Sequence, residues 1–190
     1  MSTERHFASF PRIDETAVAE LLAEWQETFP GSGVLALVPE DERARVPALQ
    51  ALARQLEVSL VGALFPALVV EGRFQRNGLV LLRLEPMLGY VLADGLTVTG
   101  PELAERGRHV ATAIGEQLPS ADGTTLFLIF DALVPKIASL LQTLYLELAD
   151  RVDYLGVNAG SETFQPEPCL FDSERLVQGG VLALLLDGET

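Results

Sequence analysis

One pattern runs through this chain twice: strand, helix, strand, helix, three strands. Two continuous apolar runs anchor it, VLALV at 34–38 and TLFLIF at 125–130. Runs this short and this apolar suit strands covered on both faces. Each is followed by an amphipathic helix and then by a group of strands. The copies align with few gaps. Leu60-Val61-Gly62 answers Tyr154-Leu155-Gly156, and Asn77-Gly78-Leu79-Val80 answers Gly179-Gly180-Val181-Leu182. The repeat length, about 90–100 residues, is too long for a solenoid unit. The expectation is an α/β (α+β) protein of two duplicated halves, 1–86 and 87–190. Mixed sheets are covered by helices, and the halves are related by a pseudo-twofold axis.

Periodicity fills in the elements. His6–Phe10 reads as a strand. Val18, Leu21, Leu22, Trp25 and Phe29 form one stripe of a helix capped by Asp14. A second helix starts near Val46-Pro47, where proline fits only the first turn. Strands are expected at Val58–Leu64, Ala67–Phe74 and Leu79–Leu84, with Asn77-Gly78 as the hairpin turn between the last two. In the second half a strand at Leu88–Leu92 precedes Thr99-Gly100-Pro101-Glu102, which has the form of a capping box. A fourth helix carries Val134, Ile137, Leu141, Leu144, Tyr145 and Leu148. A strand at Asp153–Val157 follows. Pro168–Phe171 and Gly180–Leu186 read as a closing hairpin.

Charge and composition remove several functions. The 190 residues carry a formal net charge of -14, against the cationic face that nucleic acid requires and against docking on anionic lipid. No apolar run approaches the roughly 18 residues of a membrane span, and MSTERHFASF lacks the regions of a signal peptide. The single cysteine, Cys169, excludes an internal disulfide. A cytoplasmic protein is expected. No nucleotide loop, nucleophile elbow or H-E-x-x-H motif occurs. Cys169 has no histidine near it in sequence and reads as a small buried apolar group. No nucleophile–base pair can be assembled, so no enzyme and no catalytic residue is expected.

Two bends draw attention because they recur at the same place in both halves. Gly62-Ala63-Leu64-Phe65-Pro66-Ala67 is apolar, whereas Gly156 through Phe164 carries Asn158, Ala159, Gly160, Ser161 and Glu162. Facing one cleft, they would join a greasy wall to a hydrogen-bonding one, as in a small-molecule pocket. Bare N–H groups at Gly156 and Gly160 would favour a carboxylate. The same glycines also suit a plain tight connection. Asp131, at the end of a buried strand, is either a polar group in that cleft or a helix cap. Arg73 and Arg76 are either carboxylate partners or a solvated hairpin tip.

These residues resemble a known family. LVGALFPALVVEGRF followed by NGLVLLRLE is similar to the mid-region of FIST domains, named for F-box and intracellular signal transduction. LFLIFDALVPKIASLLQTL with YLGVNAGSETF, and GGVLALLLDG after it, are similar to the later part of the N-terminal FIST region. The resemblance implies a sensory, ligand-binding module of bacterial signalling, with an amino-acid-like metabolite as ligand. The second turn motif falls on Gly156, Ala159 and Gly160, with Ser161 after it. The first falls on Gly62, but Ala63 stands where Cys is common. The family normally continues into a C-terminal region.

The resulting expectation is a non-enzymatic sensor that binds a small polar metabolite between its halves. Gly156, Asn158, Ala159, Gly160, Ser161, Asp131 and Gly62 would face the ligand. A signalling protein such as a kinase or cyclase would take the output. The alternatives are a haem-binding nitric-oxide sensor using His6 or His109, and an interaction module without a ligand. No metal and no obligate cofactor is expected.

Overall fold

A computed structural model of the chain describes residues 6–119 and 123–188. The elements run β1 (Phe7–Phe10), α1 (Glu15–Thr28), β2 (Gly33–Pro39), α2 (Val46–Gln55), β3 (Ser59–Phe65), β4 (Leu68–Val70), β5 (Arg73–Gln75) and β6 (Leu79–Leu84). They continue with β7 (Met87–Ala93), α3 (Pro101–Gly115), β8 (Thr124–Asp131), α4 (Ile137–Leu148), β9 (Asp153–Ala159), β10 (Leu170–Asp172), β11 (Leu176–Val177) and β12 (Val181–Asp187). Short 3-10 turns precede α2 and follow α4.

The first sheet has the order β1-β6-β2-β3-β10-β11 and the second β7-β12-β8-β9. Strand order and direction recur between them. β2 pairs parallel with β3 and antiparallel with β6; β8 pairs parallel with β9 and antiparallel with β12. The division expected after residue 86 falls between β6 and β7, but β10 and β11 return from the second half to the first sheet. β4 and β5 form a separate antiparallel ribbon.

Alternation along each strand explains the layering. In β12, Leu182 and Leu184 join a core shared with Leu35, Val61, Leu170 and Phe171 of the first sheet. The intervening Val181, Ala183 and Leu185 pack on Leu103, Val110 and Ile114 of α3 and Leu140 and Leu144 of α4. On α1, Val18, Leu22 and Trp25 are buried in the first of these cores, as are Leu49 and Ala53 of α2. The order is helices, sheet, sheet, helices. Asp14 caps α1 as expected, its Oδ1 accepting from Thr16 N at 3.0 Å and Ala17 N at 3.3 Å. One buried cation, Arg83, stacks on the Phe29 ring with its guanidinium carbon 3.3 Å from the ring centre.

Four local expectations are corrected. Asn77-Gly78 does not turn a hairpin. The turn lies at Glu71-Gly72, both at positive φ, and splits the expected Ala67–Phe74 strand into β4 and β5. β6 then pairs with β1 and β2. Thr99 does not cap α3: Gly100, at φ 65°, is the cap residue, with no side-chain bond, and Pro101 opens the helix. Val134 lies in the turn before α4, which starts at Ile137. β10 and β12 do not form a hairpin: β10 pairs with β11 and β3, in the other sheet from β12.

Candidate functional site

The two bends singled out in the sequence do meet. Gly160 N donates to Leu64 O at 2.9 Å, so the ends of β9 and β3 are joined. Their meeting line is filled by side chains. Leu64, Ala159, Cys169, Leu170 and Phe171 are all buried there in one core. Gly62 lies beneath Phe171, and a Cβ on it would collide with that ring and with Ala36 O. Gly62 is therefore a packing glycine with no opening for a ligand, a correction to the expectation of a ligand-facing bend in the first half.

The bend after β9 already holds a carboxylate. Glu162 N donates to Glu40 Oε2 at 3.1 Å. Arg76 Nη1 reaches Glu162 Oε2 at 2.8 Å, and its Nε reaches Asp41 Oδ2 at 3.3 Å. These acidic partners, Glu162 first and Asp41 after it, raise the Arg76 pKa. Thr163 N donates to Ser161 Oγ at 3.2 Å, and Phe164 N to Ser161 O at 3.2 Å. The anion-favouring turn was readable in the sequence, but its N–H groups serve the protein's own acceptors. Ser161 and Gly160 are part of that internal network. Arg73 is exposed on β5.

Asp131 is 2% exposed. Its Oδ2 accepts from Gly179 N at 2.6 Å and its Oδ1 from Leu133 N at 2.9 Å. The carboxylate latches the start of β12 to the turn after β8. Beside it Ala132 N donates to Ala159 O at 2.9 Å, fixing the end of β9. Cys169 is buried as expected. Desolvation by burial, then the nearby Asp131 charge, push its thiol up to about 12.

Near these bends, open space lies on the α4 side of β9. A groove of about 310 Å³ runs between α4 and β9, lined by Leu128, Phe130, Ile137, Leu141 and Tyr154–Asn158. Among the expected residues, Gly156 and Asn158 are brought together here, while Asp131, Ala159, Gly160, Ser161 and Gly62 are not in its lining. Gly156 permits the close approach of β9 to β8, since a Cβ would come within 2.8 Å of Leu128 O. Tyr154 is fixed by its hydroxyl, which donates to Ala149 O at 3.2 Å, and its ring lies 6.1 Å from that of Tyr145. Partial burial raises its pKa. The wall made by Ile137, Leu141 and Tyr154 was missed in the sequence, because Ile137 and Leu141 at helical spacing read as core and Tyr154 as part of a strand.

His109 is exposed on α3, and His6 Nδ1 lies 3.2 Å from Arg83 Nη2; neither lines the groove. Among the described residues no cluster of three or more His, Cys, Asp or Glu could hold a metal ion. No helix among them is long and apolar enough to cross a membrane.

The family model described as the FIST N domain matches residues 7–190. Comparison with curated proteins and with solved structures gives no match.

Proposed function

Because the chain belongs to the FIST N domain family, a domain associated with signal transduction, we propose that it is a sensory module taking a small amino-acid-like metabolite. The ligand sits in the groove between α4 and β9. The observation that carries this reading is the composition of the groove. Apolar side chains make its floor and one wall, and the Asn158 side-chain amide offers hydrogen bonds at its rim. Its volume is near the lower end of small-molecule sites, roughly 300–1,000 Å³. An apolar or aromatic amino acid meets both demands. The lining has no carboxylate, imidazole or thiol, which supports binding rather than catalysis. Occupancy would reach a signalling partner, such as a kinase or cyclase, through a shift between two arrangements of α4 and β9.

A thermal-shift screen of the protein amino acids and small carboxylates tests this. At a hundredfold excess over Kd, a ligand adds about 2.7 kcal/mol of stability. The expected hit raises the melting temperature of the wild type and loses most of that shift in Asn158→Ala. A hit of equal strength in both proteins, or no stabilising compound, contradicts the reading.

A further inference from the structure

We propose that β9 pairs antiparallel with β9 of a second copy, centred on Gly156. The starting observation is a difference between two equivalent strands. β3 holds in the first sheet the place that β9 holds in the second, parallel to the strand after the first helix. The outer edge of β3 is covered by β10. Among the described residues, no strand pairs with the outer edge of β9 over its seven residues. Long bare edges are ordinarily protected by charge, proline or a bulge. β9 has no proline, and its only charged residue is Asp153, at one end.

Two apolar side chains of β9 reach solvent, alongside the polar Asp153 and Asn158. Leu155 is 60% exposed and Val157 44%. The backbone points the same way. Ala159 O faces the β8 side, where it accepts from Ala132 N. Because backbone groups alternate along a strand, the N–H and C=O of Tyr154, Gly156 and Asn158 face outward.

Those three residues are symmetric about Gly156. In an antiparallel pair centred there, Gly156 meets Gly156, and Tyr154 meets Asn158 twice, all as hydrogen-bonded pairs. Leu155 meets Val157 twice, as non-hydrogen-bonded pairs in which side chains lie closest. Asp153 falls opposite Ala159, so no like charges face each other. The edge is self-complementary, as a twofold contact requires. The arrangement also lays Tyr154 of the second copy beside Asn158, closing the open side of the groove. The pairing stands without the ligand reading and is tested without any ligand.

A seven-residue edge is small beside the roughly 800 Å² per partner of a standard interface, so the dimer is reversible. Each copy has a net charge of -14, so salt screens their repulsion and strengthens the pairing. Sedimentation equilibrium of the purified chain, from low micromolar to millimolar, is expected to rise from 20.5 kDa toward twice that mass, more steeply at higher salt. Leu155→Lys should weaken association roughly tenfold or more, since by symmetry the change acts twice. Asn158→Pro should do the same, because its outward N–H is not needed by β8.

Cysteine cross-linking reads the register. Non-hydrogen-bonded partners have Cα atoms about 4.5 Å apart, within disulfide reach. Leu155→Cys with Val157→Cys should give an oxidised covalent dimer, and either change alone should give far less. A single-copy mass at every concentration, association that weakens with salt, or single variants cross-linking as well as the double one overturns the proposal. Circular dichroism of each variant checks that it folds. If Asn158→Pro does not, Leu155→Lys and the cysteine pair decide.

Discussion

Replacing Asp131 by alanine should destabilise the protein without touching the groove. The carboxylate is buried and accepts two backbone N–H groups, from Gly179 at 2.6 Å and from Leu133 at 2.9 Å. Hydrogen bonds to a charged group contribute about 1.5–3 kcal/mol each, and a buried N–H left without a partner costs about 1–3 kcal/mol. Against this stands the desolvation of a carboxylate that the alanine variant no longer buries. The net loss should be about 2–4 kcal/mol. For a domain of this size each kcal/mol moves the melting temperature by roughly 2–4 °C, so the expected drop is about 5–15 °C. Urea unfolding followed by far-UV circular dichroism gives the free energy directly, with an unchanged slope if only the latch is lost. Asp131→Asn should fall in between, because one amide oxygen still accepts while the amide NH₂ opposes an N–H donor. A loss below about 0.5 kcal/mol, the level of an ordinary surface change, would refute the latch.

Gly62→Ala should cost about 1–3 kcal/mol by overpacking against Phe171, and Phe171→Leu in the same chain should recover part of it in the same urea titration. Cys169 should resist a thiol reagent at mildly alkaline pH and react fast once urea unfolds the chain. Its folded pKa lies above the unfolded thiol's, so its contribution to stability is complete below about pH 9 and is lost as pH rises toward about 12; the stability–pH curve of Cys169→Ala should lack that component. Arg76→Ala removes the ion pairs to Glu162 and Asp41, and hydrogen exchange at the Glu162 amide should accelerate while β8 and β12 keep their protection.

Periodicity identified the elements whose own residues decide their form. VLALV and TLFLIF became β2 and β8, and the stripe on α1 lies where the spacing placed it; on α4, Leu144 and Leu148 are buried as expected, but Val134 precedes the helix and Tyr145 is exposed. Partner choice was harder to read. Asn77-Gly78 has the chemistry of a hairpin turn, yet β6 finds more to pair with in β1 and β2 than in β5. Nothing local in Leu170–Asp172 says that it will join β3; Gln50 does this from α2, its Nε2 donating to Asp172 O at 2.8 Å and Arg175 O at 3.0 Å. The glycine-rich bend suited either an anion or a plain tight connection by sequence; in the structure Glu162 N donates to Glu40, far away in sequence, and Gly160 N to Leu64 O. Gly62 and Gly156 look alike in sequence. One is forced by a ring above it and the other by a neighbouring strand, and only the second borders open space.

In the proposed function the ligand sits on the α4 side of β9 rather than between the two sheets. Backbone amide chemical shifts, followed while the strongest thermal-shift hit is titrated in, test that directly. Perturbations should concentrate on Leu128, Leu141 and Tyr154–Asn158 and saturate with the same affinity as the thermal shift. Perturbations centred on Gly62–Ala67 and Phe171 instead, with β9 and α4 unmoved, would contradict it.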